Sequence, residues 1–246
     1  MPELSFVLPR VIAHRGASAA APENTLAAFR RAREEGATWI ECDVKLTADG
    51  RPVIFHDDTL DRTTDGSGPM VDAPLDVVGA LDAGGWFSPD FRGEPVPTLE
   101  ETLDLLADLG MGANLEIKPC PGRERETAAV TAAAVQPYLD RVPVLLSSFA
   151  DESLAAAREA APDVPRGLLV EAVPADWQAR AAALECVALH VDAVPLTAEQ
   201  VAAMRAAGYK VVVWTVNGES EARRLVEWGV DAVITDAPQR IGAAIG

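Results

Sequence analysis

The chain has 246 residues, 49 % of them hydrophobic, with 21 Lys and Arg against 38 Asp and Glu and a net charge of −17 at pH 7. That length suits one α/β barrel, and the apolar fraction supplies a sizeable core, which excludes a disordered chain. The carboxylate excess repels nucleic acid and anionic lipid, so neither is an expected partner, and an anionic substrate needs local Arg, Lys or a bound metal.

In chain order, the opening MPELSFVLPRVIAHRG lacks the basic, apolar, small-residue succession of a secretory leader. No later run approaches the ~20 apolar residues that span a bilayer. Cys42, Cys120 and Cys186 are widely spaced and form neither a C-x-x-C pattern nor a disulfide framework. The expectation is a soluble cytoplasmic protein.

Short β-branched runs alternate with Ala/Leu/Arg/Glu stretches of helical period. Strands are predicted at 11–14, 38–44, 114–118, 144–148, 167–171, 187–192, 211–215 and 232–236. Helices are predicted at 24–35, 99–109, 125–136, 151–160, 176–184, 198–207 and 219–228. Eight strands alternating with helices predict an α/β (β/α)8 TIM barrel, a single domain over 1–246. Gly36, Gly110, Gly208 and Gly229 each follow a helical stretch and read as stops, and Thr98 with Glu101 reads as a capping box. The run 52–56 (PVIFH) follows the second strand too closely for a parallel crossover. It is read as the return arm of a β-hairpin about Asp49-Gly50, with His56 roughly opposite Asp43. Residues 58–95, rich in Gly, Pro and Asp, read as a small lid-like insertion after that hairpin.

Polar residues gather at strand ends, and the C-terminal face is where barrels of this kind build their sites. Glu41 and Asp43 are two apart on a strand and so share one face, with Cys42 turned to the helices. Glu116 and Lys118 repeat the spacing. Adjacent carboxylates inside a barrel need a compensating cation. Glu41, Asp43 and Glu116 therefore make an all-oxygen candidate for one hard divalent ion; the alternative is a salt-bridge network with Arg15 and Lys118. His14 and His56 converge on the same mouth as candidate acid and base. Arg15 and Lys118 supply positive charge for a phosphate. Trp214 and Asn217 shape the slot, or Trp214 is core. Lys45 either assists or is solvated, His190 is read as a packed strand histidine, and Asn24 as a helix N-cap rather than a ligand group.

The ordered set AHRGASAAAPENTLAAF, IECDVKLTADGRPVIFHDDTLDRTTDG, NLEIKP, LLSSF, VVVWTVN and GVDAVITDAP resembles the glycerophosphodiester phosphodiesterase family over about residues 11–240. The stretch LDAGGWFSPDFRGEPVPTL resembles its bacterial cytosolic members. The resemblance implies His14 and His56 as the catalytic pair, Glu41, Asp43 and Glu116 as metal ligands, and Lys118 as the family's following lysine. It further implies Mg2+ or Ca2+ as cofactor and a small-molecule glycerophosphodiester as substrate, hydrolysed to sn-glycerol 3-phosphate and an alcohol. In that scheme His14 is base and His56 acid, an assignment that can be exchanged, and the nucleophile is water or the substrate's own hydroxyl. Two alternatives stay open: a related barrel phospholipase, which needs an apolar or basic rim, and a silent sugar-phosphate-binding barrel, which needs a gap in the constellation.

Overall fold

The computed structural model describes residues 7–246. The expectation about a secretory leader falls in part on residues 1–6, which lie outside the described residues. In chain order the elements are β1 (Val11–His14), α1 (Leu26–Glu34), β2 (Trp39–Leu46), β3 (Pro52–Ile54), α2 (Leu75–Val78), α3 (Leu99–Leu109), β4 (Gly112–Ile117), α4 (Glu124–Val135) and β5 (Val144–Ser148). There follow α5 (Asp151–Ala160), β6 (Arg166–Val170), α6 (Trp177–Ala183), β7 (Ala188–Asp192), α7 (Ala198–Ala206), β8 (Lys210–Trp214), α8 (Glu219–Trp228), β9 (Ala232–Thr235) and α9 (Pro238–Ile245). The strands run β1-β9-β8-β7-β6-β5-β4-β2, and a β1–β2 pairing closes the ring. All eight pairings around that ring are parallel, so the architecture is the TIM barrel expected from the alternation.

Strand β2 shows why the site lies where it does. All eight of its residues are buried, but alternate side chains enter different layers. Ile40, Cys42 and Val44 join the apolar layer between sheet and helices, together with Ala113, Leu115 and Ile117 of β4. Glu41 and Asp43 therefore face the barrel interior, and the register pairs Glu41 with Asn114 and Asp43 with Glu116. Below them Ile12, Trp39, Leu145, Val212 and Ala232 fill the barrel floor. Polar residues thus share the interior with an apolar plug, stacked toward the C-terminal rim.

The helix stops behave as read. Gly36, Gly110, Gly208 and Gly229 all take positive φ, between 63° and 91°, the left-handed conformation that closes a helix. Thr98 and Glu101 form the reciprocal capping box. Three details differ from expectation. Helix α1 is capped by Thr25, whose side chain accepts from the Ala28 N–H, so Asn24 is not the cap. The hairpin register places Phe55 opposite Asp43, with its N–H on the Asp43 carbonyl at 2.9 Å. His56 follows one residue later, beyond the end of β3. Helix α9, after the last strand, had no counterpart among the predicted helices.

Residues 58–95 carry short helical turns and the four-residue α2. Leu60, Met70, Ala73, Val78 and Ala83 pack with Val53, Phe55 and Val96 into a satellite core above β3. A fully buried side chain such as Met70 contributes roughly 1.5–3 kcal/mol, enough for a few residues to pin the insertion. Lys45, buried on β2, adds an ion pair to Asp58 at 2.7 Å. It neither joins the site cavity nor meets solvent.

Candidate active site

One cavity at the barrel mouth, of about 100 Å³, is lined by His14, Arg15, Glu41, His56, Glu116, Lys118 and Trp214, among others. Every predicted site residue except Asp43 lines this cavity, and Asp43, itself buried, stands beside Glu41 and Glu116. Glu41, Asp43 and Glu116 each offer a carboxylate oxygen within 4.8 Å of the others, a spacing that suits shared ligation of one hard divalent ion.

The charges around these carboxylates do not balance. Arg15 Nε lies 3.3 Å from Asp43, while its Nη1 donates to Glu23 at 2.7 Å. Lys118 Nζ lies 3.0 Å from Glu116 and 3.7 Å from Asp43. Glu41 accepts from the Arg15 backbone N–H at 3.1 Å, but no Arg or Lys pairs with it among the described residues. Asp43 Oδ1 is buried with no hydrogen-bond partner there. Burial raises the Glu41 carboxyl well above the usual range, and Asp43 and Glu116 raise it further, against Arg15. Burial likewise raises Glu116, to about 7, reinforced by Asp43 and opposed by Lys118. Burial would also raise Asp43, but Arg15, Lys118, His56 and Asn24 outweigh it and hold it low. The Arg15 and Lys118 contacts of the salt-bridge alternative are present, yet they give Glu41 no ion pair with Arg or Lys and leave Asp43 Oδ1 without a hydrogen bond. The donor set therefore fits a hard cation.

Each histidine is held from behind by an aspartate. His14 Nδ1 is 2.6 Å from Asp236 Oδ1, and His56 Nδ1 is 2.6 Å from Asp57 Oδ1. A carboxylate accepts only, so the proton sits on Nδ1 and each Nε2 is free for chemistry. His14 Nε2 lies 3.9 Å from Glu41 Oε2. Asp236 also accepts from Ser18 at 2.9 Å and from Asn217 Nδ2 at 2.6 Å. Burial would raise it, but these donors and His14 bring it down to about 2, so it stays charged. Burial pushes His56 below the usual histidine range, with Arg15 and Lys118 adding to the shift and Asp43 and Asp57 opposing it.

Several working residues escaped the sequence reading. Asn24 donates through Nδ2 to Asp43 Oδ2 at 2.8 Å, and its Oδ1 accepts from the Asp43 N–H at 3.4 Å. Its backbone takes φ 58°, which asparagine tolerates better than most residues. Arg62 grips Asp57 and Glu23 together, at 2.5–2.9 Å, tying the insertion to both histidine-bearing segments. The HDD and PEN tripeptides carried that signal, because a charged residue beside a candidate catalytic one warrants attention. Phe149 is the other omission. It lies edge-on to Trp214, with ring centroids 5.6 Å apart, and Lys118 Nζ sits 5.9 Å from its ring centre.

Gly16 lets the chain turn directly after His14 and Arg15. Its φ is +83°, and an added Cβ would lie 2.7 Å from the Ala28 carbonyl carbon. Gly16→Ala is expected to cost more than ~1 kcal/mol and lower the thermal midpoint by several degrees. A melting curve matching wild type would show that this turn tolerates a side chain.

Comparisons with known proteins agree with this geometry. Residues 14–240 match the family described as "Glycerophosphoryl diester phosphodiesterase family". A glycerophosphodiester phosphodiesterase of Caldanaerobacter subterraneus subsp. tengcongensis is 39 % identical, over 94 % of this chain and 95 % of that protein. Among solved structures, an Oleispira antarctica phosphodiesterase in complex with the product sn-glycerol-3-phosphate superposes with TM-score 0.94 at 46 % identity, covering 97 % of each chain. A glycerophosphodiester phosphodiesterase from Agrobacterium tumefaciens superposes with TM-score 0.80 at 30 % identity, covering 96 % of this chain and all of that one. With its fold, its match from His14 to Arg240 and these relatives in agreement, the chain belongs to the glycerophosphoryl diester phosphodiesterase family.

Proposed function

We propose that the protein hydrolyses glycerophosphodiesters to sn-glycerol 3-phosphate and an alcohol, using His14 and His56 beside a divalent-cation site. The observation that carries this reading is a cluster of three carboxylates, two of them lining the same cavity as two aspartate-backed imidazoles. Glu41, Asp43 and Glu116 would hold the ion, Mg2+ or Ca2+, which when bound would supply Lewis-acid stabilisation of the charge developing on the phosphate. Arg15 and Lys118, both lining the cavity, neutralise the remaining charge that develops on the phosphate. One ring, neutral, takes the proton of the attacking oxygen at Nε2, and the other, protonated on both nitrogens, delivers its Nε2 proton to the leaving alcohol. Asp236 and Asp57 hold the Nδ1 proton of both rings, so that Nε2 is the atom presented to accept or give a proton.

Residues 58–95 act as a fixed cover beside the mouth within one barrel domain, a reading supported by the Lys45–Asp58 and Arg62–Glu23 ties. Among the described residues no helix is long and apolar enough to cross a membrane. Three free, buried cysteines support a reducing, cytoplasmic setting.

A coupled assay for glycerol 3-phosphate tests the reading across several glycerophosphodiesters. Release with Mg2+ or Ca2+ supplied, abolished by chelator, is expected. No release from any substrate with either metal present would favour a binding barrel instead.

A further inference from the structure

One guanidinium at the rim bonds to both carboxylates that stand behind the working groups of the site. Arg62 Nε donates to Asp57 Oδ2 at 2.5 Å and its Nη2 to Asp57 Oδ1 at 2.9 Å. Its Nη1 and Nη2 donate to Glu23 Oε2 and Oε1, each at 2.8 Å. The two oxygens that Nη2 reaches are already in use. Asp57 Oδ1 holds His56 Nδ1 at 2.6 Å, and Glu23 Oε1 accepts from Arg15 Nη1 at 2.7 Å. A single nitrogen thus joins the backing of an imidazole to the backing of the guanidinium that lies 3.3 Å from Asp43.

Both ends of this bridge are fixed. Leu60 is buried in the satellite core of the insertion, Thr63 and Thr64 are buried, and Thr64 Oγ1 donates to the Leu60 carbonyl at 2.6 Å. Arg62 therefore springs from a rigid turn. Glu23 is presented by a closed loop, in which the Asn24 N–H bonds to the Arg15 carbonyl at 3.0 Å. The Arg62 side chain is 46 % exposed and forms no part of the cavity wall.

Pinning the insertion does not require it. Met70, Val78 and their neighbours already bury the insertion beside β3, and Lys45 holds Asp58. An isolated exposed ion pair adds little to a fold, whereas two bidentate forks on one planar cation fix where their partners stand. The Arg62 hydrogen bonds hold Asp57 well below the usual carboxylate range. Burial would raise Glu23, but Arg62 and Arg15 outweigh it and hold it low. Both carboxylates are therefore anions, and without the cation between them they repel.

We propose that Arg62 is a positioning residue, which sets His56 and Arg15 at a fixed separation through Asp57 and Glu23. The inference rests on the proposed function and deepens it: the insertion supplies the strut that aligns a proton-transfer group with a phosphate-neutralising one. Loss of the strut lets Asp57 swing away from the ring, so His56 turns or changes tautomer, and it loosens Glu23 on Arg15. The two effects fall on different constants, because His56 acts in turnover and Arg15 also in binding.

The test is a double-mutant cycle with chemical rescue. Arg62→Ala is expected to lower kcat by ~10–100-fold, the cost of a small misplacement of a reacting group. KM should rise several-fold, with a thermal midpoint close to wild type. On an Asp57→Asn background the same change should cost kcat at most ~3-fold, because both residues act through one contact. Millimolar guanidinium should raise kcat of Arg62→Ala several-fold and leave Asp57→Asn unchanged. Arg62→Lys, which keeps the charge without the fork, should stay nearer to Arg62→Ala than to wild type; it serves if Arg62→Ala fails to fold. Unchanged kcat in Arg62→Ala, full additivity in the double variant, or wild-type kinetics in Arg62→Lys overturns the strut. Should wild type release no glycerol 3-phosphate from any diester with metal supplied, the functional reading falls instead. The imidazole 15N shifts of His56, assigned with His56→Ala, then still decide the strut. A neutral ring protonated at Nδ1 in wild type and a mixture of tautomers in Arg62→Ala are expected, and the same tautomer in both would overturn it.

Discussion

Replacing His14 or His56 with alanine is expected to cut kcat by about 10²–10⁴-fold with little change in thermal midpoint, the usual magnitude for a lost general acid or base. Neither ring is part of the apolar core, so the fold should survive. The two variants should differ once the leaving group changes. A diester of 4-nitrophenol departs without protonation. The variant lacking the acid should therefore recover most of its loss on that substrate, and the variant lacking the base should not. This assigns the two roles, which the near-symmetric Asp236–His14 and Asp57–His56 pairs leave interchangeable. Asp236→Asn and Asp57→Asn should lower kcat with KM little altered, because each aspartate holds a tautomer and does not bind substrate. Near-wild-type turnover of both histidine variants would remove the catalytic assignment altogether.

What the amino-acid sequence reveals of this site follows the range of the interactions involved. Period-two alternation is local, so β2 shows directly that Glu41 and Asp43 share a face and Cys42 does not. Glycine stops and the Thr98 capping box are local too. The aspartate behind His14 is different: Asp236 lies 222 residues away and meets it only because β9 closes against β1. Asn24 looked like a cap because it precedes a helix, yet the cap is its neighbour. Its positive φ turns the amide into the barrel, onto Asp43. His190 was readable as buried but not as unpaired, since that depends on the space left by Gly167 on the adjacent strand. Helix α9 is not legible in the sequence because PQRIGAAI contains a glycine and few strong apolar residues, and its docking through Ile241 is a tertiary effect.

Neutralising one carboxylate should separate stability from activity. Glu41, Asp43 and Glu116 crowd within 4.8 Å, and burial with mutual repulsion raises the carboxyls of Glu41 and Glu116. Without a cation this is a stored penalty, so Glu41→Gln should raise the thermal midpoint of the metal-free protein. The amide still accepts the Arg15 N–H, and packing hardly changes. Wild type should respond to metal instead: an ion that binds only the folded state stabilises it by RT ln(1 + [M]/Kd), about 2.7 kcal/mol at a hundredfold excess over Kd. Glu41→Gln should lose most of that shift, and its activity with it by ~10³-fold or more. Differential scanning fluorimetry with chelator, Mg2+ and Ca2+, run beside the coupled assay, reads both effects. A variant that melts lower than wild type without metal, yet gains as much from the ion, would show that Glu41 serves the fold and that the cation, if any, sits elsewhere.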